Sequence, residues 1–220
     1  MKKILKIALI VMLAIITVVA ITGCGKKEEN IVEEPKIDLV NDAKSRTYNT
    51  FSKLSEDYIL SIEGKEDLGE GEETVTITMA VKGKNLSMDL RTDTEHMGVV
   101  YKDNTTYVLL YDEKAYLKEQ GKDEDAIEDM NIFSPEDLDE IKDEEFITGK
   151  ESISGTEYYF EEFKDEKENE TIRFYFQGND LKYIRNISED ENVLLKVNEL
   201  SSKVDDSLFE IPSDFSEIAM

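Results

Sequence analysis

The sequence predicts an α+β domain, mainly antiparallel β, with an N-terminal helix and a helical insertion over one face of the sheet. Three observations carry this expectation. Apolar residues alternate at period two through much of residues 58–200, as where Val75, Ile77, Met79 and Val81 are set against Thr74, Thr76, Thr78 and Ala80. Polar turns interrupt the alternation about every ten residues, the spacing of an antiparallel meander. At two places, residues 39–54 and 123–142, the apolar period lengthens to that of a helix.

The first 23 residues stand apart from this pattern. Lys2, Lys3 and Lys6 make a positive start, and residues 4–21 are apolar apart from Lys6 and Thr17. The segment ends Ile21-Thr22-Gly23-Cys24. A basic start, an apolar middle and small residues at the end are the physical pattern of a secretory signal, because small residues let the chain enter a peptidase cleft in extended form. The last four residues resemble the lipobox of bacterial lipoprotein precursors. That resemblance implies a diacylglyceryl thioether on Cys24, cleavage before it, and acylation of the new amino group. The same apolar run is long enough for the alternative, an uncleaved membrane-spanning helix.

Cys24 is the only cysteine. Once lipidated it leaves no thiol for a disulfide, a nucleophile or a metal site. Residues 24–37 are polar, carry Pro35 and read as a flexible tether. Stretched out, they reach about 45 Å. The domain proper is expected over residues 38–220.

Within it, Val40, Ala43, Thr47, Phe51 and Leu54 recur at three- and four-residue steps and share one helix face over residues 39–54, which Tyr48 widens. Tyr58, Leu60 and Ile62 begin the strands. After Lys82-Gly83-Lys84 the return strand carries Leu86, Met88 and Leu90, followed by strands at Met97, Val99 and Tyr101, at residues 106–111, and at residues 115–118. Residues 119–150 are highly acidic. Ala126, Ile127 and Met130 share a helix face there, and Ser134-Pro135-Glu136-Asp137 is a helix start that places Leu138 and Ile141 together. Strands resume at Tyr158 and Phe160, at Ile172, Phe174 and Phe176, at Leu181 and Tyr183, and at Val193, Leu195 and Val197.

Charge narrows the partners. The chain holds 26 basic and 51 acidic residues, and loss of Lys2, Lys3 and Lys6 takes the formal charge from −25 to −28. Such a surface repels nucleic acid, whose binding needs clustered Lys and Arg. It equally repels anionic lipid head groups, and it favours solubility.

Catalytic and cofactor motifs are missing from the sequence. It holds no Gly-rich phosphate loop, no G-x-S-x-G and no H-E-x-x-H. The one histidine, His96, has Asp93 and Glu95 near it in sequence to orient it, but no Ser or Cys elbow. The acidic groups at 123–129 and 165–170 lack the spacing of a calcium loop. No enzyme, cofactor or metal site is expected.

The order of elements resembles the lipoprotein-carrier superfamily of LolA/LolB-like proteins and their Gram-positive and mycobacterial relatives. The shared plan is an N-terminal helix, a long meander, a helical insertion, further strands and a Phe-x-Ile-Pro ending, here Phe209 to Pro212. The resemblance covers residues 38–218. It implies a half-open β-barrel with helices over its concave face, which takes acyl chains in several relatives and serves as a sensor or partner-binding domain in others. It brings no catalytic residues. Cys24 points to the anchored relatives and away from the soluble carriers.

The candidate ligand site is therefore an apolar cavity. Met79, Met88 and Met97 sit at inward strand positions with Tyr101, Phe174 and Phe176, and Ile127, Met130, Leu138 and Ile141 come from the insertion. Met adapts to varied apolar shapes, which suits a lipid-accepting wall. The same residues equally suit a packed core. The expectation is a membrane-anchored, outward-facing, non-enzymatic binding protein for an apolar ligand if the site is hollow, or for another envelope protein if it is filled.

Overall fold

A computed structural model describes residues 36–38, 45–54, 57–67, 72–121, 142, 144–165, 169–189 and 192–218. They form thirteen strands and one α-helix of six residues. The strands are β1 (Lys36–Asp38), β2 (Tyr58–Asp67), β3 (Glu72–Lys82), β4 (Asn85–Arg91), β5 (His96–Lys102), β6 (Thr105–Leu110), β7 (Ala115–Gln120), β8 (Ile147–Ile153), β9 (Thr156–Asp165), β10 (Glu170–Gln177), β11 (Asp180–Ile187), β12 (Asn192–Ser201) and β13 (Ser216–Glu217). The helix, α1, is Arg46–Phe51.

All strands join one sheet in the order β1-β8-β9-β10-β11-β12-β2-β3-β4-β5-β6-β7-β13. Two meanders, β2–β7 and β8–β12, are sewn together where β12 pairs antiparallel with β2. Every pairing is antiparallel except that of β13 with β7. The terminal strands do not pair with each other, so the sheet is open.

This corrects the expected α+β half-barrel with a helical insertion. The described residues are almost entirely β, and α1 is far shorter than residues 39–54. The helices expected within 123–142 lie outside the described residues, Lys142 apart, as do residues 39–44 of the first helix. The physical reason for so little helix is that the sheet covers much of itself. Phe163, Phe174 and Phe176 are each at most 2% exposed. Large rings from neighbouring strands fill the space that a helix would otherwise occupy. Lys36–Asp38, expected in the tether and at the domain edge, pair with β8 in the register Lys36↔Lys150 to Asp38↔Thr148.

The two faces of the sheet are covered differently. The front face carries the largest apolar cluster, including Phe51 and Leu54 beside α1, Leu60, Ile77, Met79, Leu86, Phe174 and Leu195. The back face of β2–β7 is covered by the C-terminal segment. A 3-10 turn at Asp206–Phe209 places Phe209, 2% exposed, against Ile59, Ala80, Val100 and Leu109. Ile211 and Phe215 extend that cover, and Lys82 ties it down through Asp206 at 2.6 Å. The Phe-x-Ile-Pro ending thus packs on the back of the sheet.

The back face of β8–β11 holds a buried ionic group. Glu151 accepts hydrogen bonds from Arg173 Nη1 at 3.0 Å, Tyr175 Oη at 2.7 Å and Arg185 Nη1 at 2.6 Å. Arg173 Nε also donates to Glu162. Both guanidinium groups lie over rings, Arg173 over Phe160 and Arg185 over Tyr175. Burial is the main cause that pushes the Tyr175 phenol well above its ordinary range.

Candidate functional site

The front face is the candidate site, and α1 divides it. Ser45 caps the helix, its Oγ accepting from Tyr48 N at 3.1 Å. A second acceptor comes from the sheet. Glu161 on β9, 1% exposed, accepts from Ser45 Oγ at 2.7 Å, Arg46 N at 2.7 Å, Thr47 N at 2.9 Å and Thr47 Oγ1 at 2.8 Å. Orphan helix amides and a carboxylate satisfy one another, which allows a charge in the interior. Arg46 then lies 3.9 Å from the Tyr159 ring centroid. The helix is bolted to the β8–β12 half, where Phe51 meets Phe174 edge-on at 5.5 Å and Phe163 meets Phe174 at 5.8 Å.

The packing continues from this half onto β3–β5. Met79, Tyr101, Phe174 and Phe176 are buried within the same cluster, and Met88 packs against it. Tyr58 Oη donates to Met79 Sδ at 3.4 Å, and Tyr101 Oη donates to Asn104 Oδ1 at 3.1 Å. The structure therefore brings five of the sequence-selected residues together as packed neighbours. Met97 lies on the same face farther out and is half-buried. Ile127, Met130, Leu138 and Ile141, like Cys24, lie outside the described residues.

The other half of the front face is less covered. Strand register places Ile62, Ile77, Leu90, Met97 and Leu110 in one transverse row over β2–β6. Cross-strand partners point to the same face, so the row is continuous. Ile62 and Ile77 are buried, and Leu90, Met97 and Leu110 are half-buried. A parallel row of Met88, Val99, Val108 and Leu117, all half-buried, lies beside it. At the buried end of the first row is a depression with room for about one water molecule, about 10 Å³, lined by Ile62, Gly64, Lys65, Val75, Ile77, Val193 and Leu195. Gly64 keeps it open, since a Cβ there would lie 2.7 Å from Leu195 Cδ2.

Sequence reasoning missed three polar groups. Asn186 is 5% exposed on the front face, opposite Ile172 and Val193, with neither side-chain polar atom hydrogen-bonded. Glu161 and Glu151 were also missed. The available signal for Glu161 was its place at period two between Tyr159 and Phe163 in β9. His96 lies on the back face with partners other than the two expected. Its Nε2 is 2.7 Å from Asp89 Oδ2 and 3.3 Å from Arg91 Nη2, and its ring stacks on Tyr111 at 3.6 Å. Asp93 instead accepts from Thr74 N. Tyr111 in turn meets Phe215 of the C-terminal segment.

No family model matches the chain, and no curated protein matches it. Among solved structures the chain is similar to an uncharacterized conserved protein from Thermus thermophilus, with 10% sequence identity and a TM-score of 0.45, over 79% of this chain and 96% of that one.

Proposed function

We propose that this chain is a lipid-anchored, outward-facing binding protein for an apolar, lipid-like ligand, held to the membrane through Cys24, with no catalytic role. The observation that carries the reading is the half-buried row Leu90, Met97 and Leu110, continuous with the depression at Ile62 and Ile77. From β4 to β6 its half-buried part spans about 10 Å at about 4.8 Å per strand. Half of a bilayer's hydrocarbon core is about 15 Å, so this part covers about two-thirds of one acyl chain lying across the strands. Its chemistry is that of a solvent for hydrocarbon and supplies no acid, base or nucleophile.

A second reading is favoured by one specific observation. The front face of β9 and β10 is packed with rings. If the row carries no ligand, the same apolar surface serves to dock another envelope protein.

Two measurements test the proposal. Cys24→Ala should shift the chain from the detergent phase to the aqueous phase or leave it with its signal attached. Equal partition and equal migration of wild type and variant would remove the anchor. Leu110→Asp should lower the lipid that co-purifies with the protein, read by mass spectrometry, with the β circular dichroism spectrum intact. Equal lipid in both would shift the reading to the partner-docking surface.

A further inference from the structure

The outer edge of β7 is covered at one end and open at the other. β13 pairs only with its first two residues, in the register Ser216↔Ala115 and Glu217↔Tyr116. Ser216 N donates to Lys114 O at 3.0 Å, and Ile218 N donates to Tyr116 O at 3.0 Å. Backbone groups turn to the same side of a strand at every second residue. Lys118 and Gln120 therefore direct their N–H and C=O groups to the outer edge, as Tyr116 does. Gly121, of the opposite parity, donates inward to Asn104 O at 3.1 Å. Among the described residues, no strand covers this edge beyond Ile218, and Lys118, Glu119 and Gln120 are exposed.

An open edge is a template for another strand, and folds commonly blunt it with a charged side chain. Here that charge is drawn aside, because Lys118 Nζ lies over the Tyr107 ring on the back face, 6.0 Å from its centroid. Beside the edge stands Ile218, 41% exposed, the one large apolar side chain so exposed among the described residues. The register of β13 sets it next to Leu117 on the front face, at the end of the row Met88, Val99, Val108 and Leu117.

Charge chooses the occupant. A second copy fits badly, because a two-fold axis sets residues against their own images. The register that uses Lys118 and Gln120 of both copies sets Glu119 against Glu119, and moving the axis by one residue sets Lys118 against Lys118. Like charges directly opposite each other destabilise a strand pair, and each chain already carries a formal charge of −25. A basic strand instead gains from Glu119 and Glu217, both exposed at this edge. In such pairing the main-chain bonds supply affinity and alternate side chains supply the choice of partner. We propose that the outer edge of β7 from Leu117 to Gln120, with Ile218 beside it, docks an extended basic segment of another protein as an added strand. The segment's front-facing side chains are apolar beside Leu117 and Ile218, and Lys or Arg near Glu119. This docking uses the edge of the sheet and holds whether or not the front face takes an apolar ligand.

The test follows amide exchange of the full chain, residue by residue, with two short synthetic peptides. One alternates Lys with Val, and the other alternates Glu with Val. Without peptide, the amides of Lys118 and Gln120 should exchange faster than the inward ones of Leu117 and Glu119. The Lys-Val peptide should slow them about tenfold or more, the weight of one or two hydrogen bonds, and the Glu-Val peptide should not. Lys118→Ala removes only the side chain and should keep the slowing at Gln120. Lys118→Pro removes the outward N–H and should abolish it, at a position where Pro nitrogen faces solvent and is tolerated. Ile218→Asp should weaken the Lys-Val peptide about tenfold with the β spectrum intact, and it carries the test if Lys118→Pro does not fold. Wild-type slowing in both Lys118→Pro and Ile218→Asp would overturn the added strand. Lys118 and Gln120 as slow as Leu117 and Glu119 before any peptide is added would overturn it too, and give the edge to the chain's own residues 122–141. Slowing that rises with protein concentration alone would put a second copy there instead. Equal slowing by both peptides would overturn the basic partner, and no slowing by either would overturn the docking edge.

Discussion

Two regions of the front face are built from different apolar residues and are covered to different extents. On β9 and β10, aromatic rings meet edge-on and α1 is bolted over them by Glu161. On β4–β7 the corresponding positions are Leu90, Met97, Val99, Val108, Leu110 and Leu117, all half-buried. Ring area explains the difference. A Phe reaches across to the next strand and buries itself and its neighbour, whereas an aliphatic side chain standing off a sheet covers little beyond its own strand. The front face is therefore most completely covered around the rings of β9 and β10 and least covered toward β6 and β7.

Phe174→Ala should break the contrast most severely. Phe174 is 1% exposed and touches both Phe51 and Phe163, so truncation opens a cavity in the more covered region. Denaturant unfolding should show a loss of about 3–5 kcal/mol. A loss below about 1 kcal/mol would mean that the two regions do not differ in packing.

Glu161→Gln should come next. The amide keeps the shape but turns one acceptor into a donor facing Ser45, Arg46 and Thr47. A loss of about 2–3 kcal/mol is expected, the scale of hydrogen bonds to a charged group. Proteolysis should then cut near residues 45–54 before it cuts the strands. Wild-type protection of that segment would show that ring packing alone holds α1.

Leu117→Ala should have the smallest effect. It sits half-buried on β7 in the less covered region. About 1 kcal/mol is expected, since only part of the side chain leaves water on folding. A loss matching that of Phe174→Ala would place a packed core on β7 as well.

The sequence made the strands with clean alternation legible. Val75, Ile77, Met79 and Val81 fall on the front face as their period requires. β8 was not legible, because Ile147-Thr148-Gly149-Lys150-Glu151-Ser152-Ile153 buries a glycine, a threonine and an acid where alternation looks for apolar residues. Glu151 is tolerated there only because Arg173 and Arg185, from two other strands, reach it. Partners so far apart in the chain leave no local trace. Asp89 and His96 are only seven residues apart, but their pairing depends on the hairpin register, and the parallel strand Ser216–Glu217 has two exposed residues that give no period at all. The helical cover was inferred from the need to hide the sheet, and the rings of β9 and β10 meet much of that need themselves.

The seam between β12 and β2 bears on the order of assembly. Each meander consists of hairpins whose partners are close in sequence, so each can form early. The register Ser201↔Ile59 joins residues on either side of nearly the whole domain. Closing so long a loop costs entropy before any contact repays it. The depression takes its walls from both sides of this seam, Ile62 and Ile77 from one meander and Val193 and Leu195 from the other. The depression is therefore among the last features of the molecule to exist. A nascent or truncated chain that stops short of β12 has no means of forming it, however well its first meander is folded.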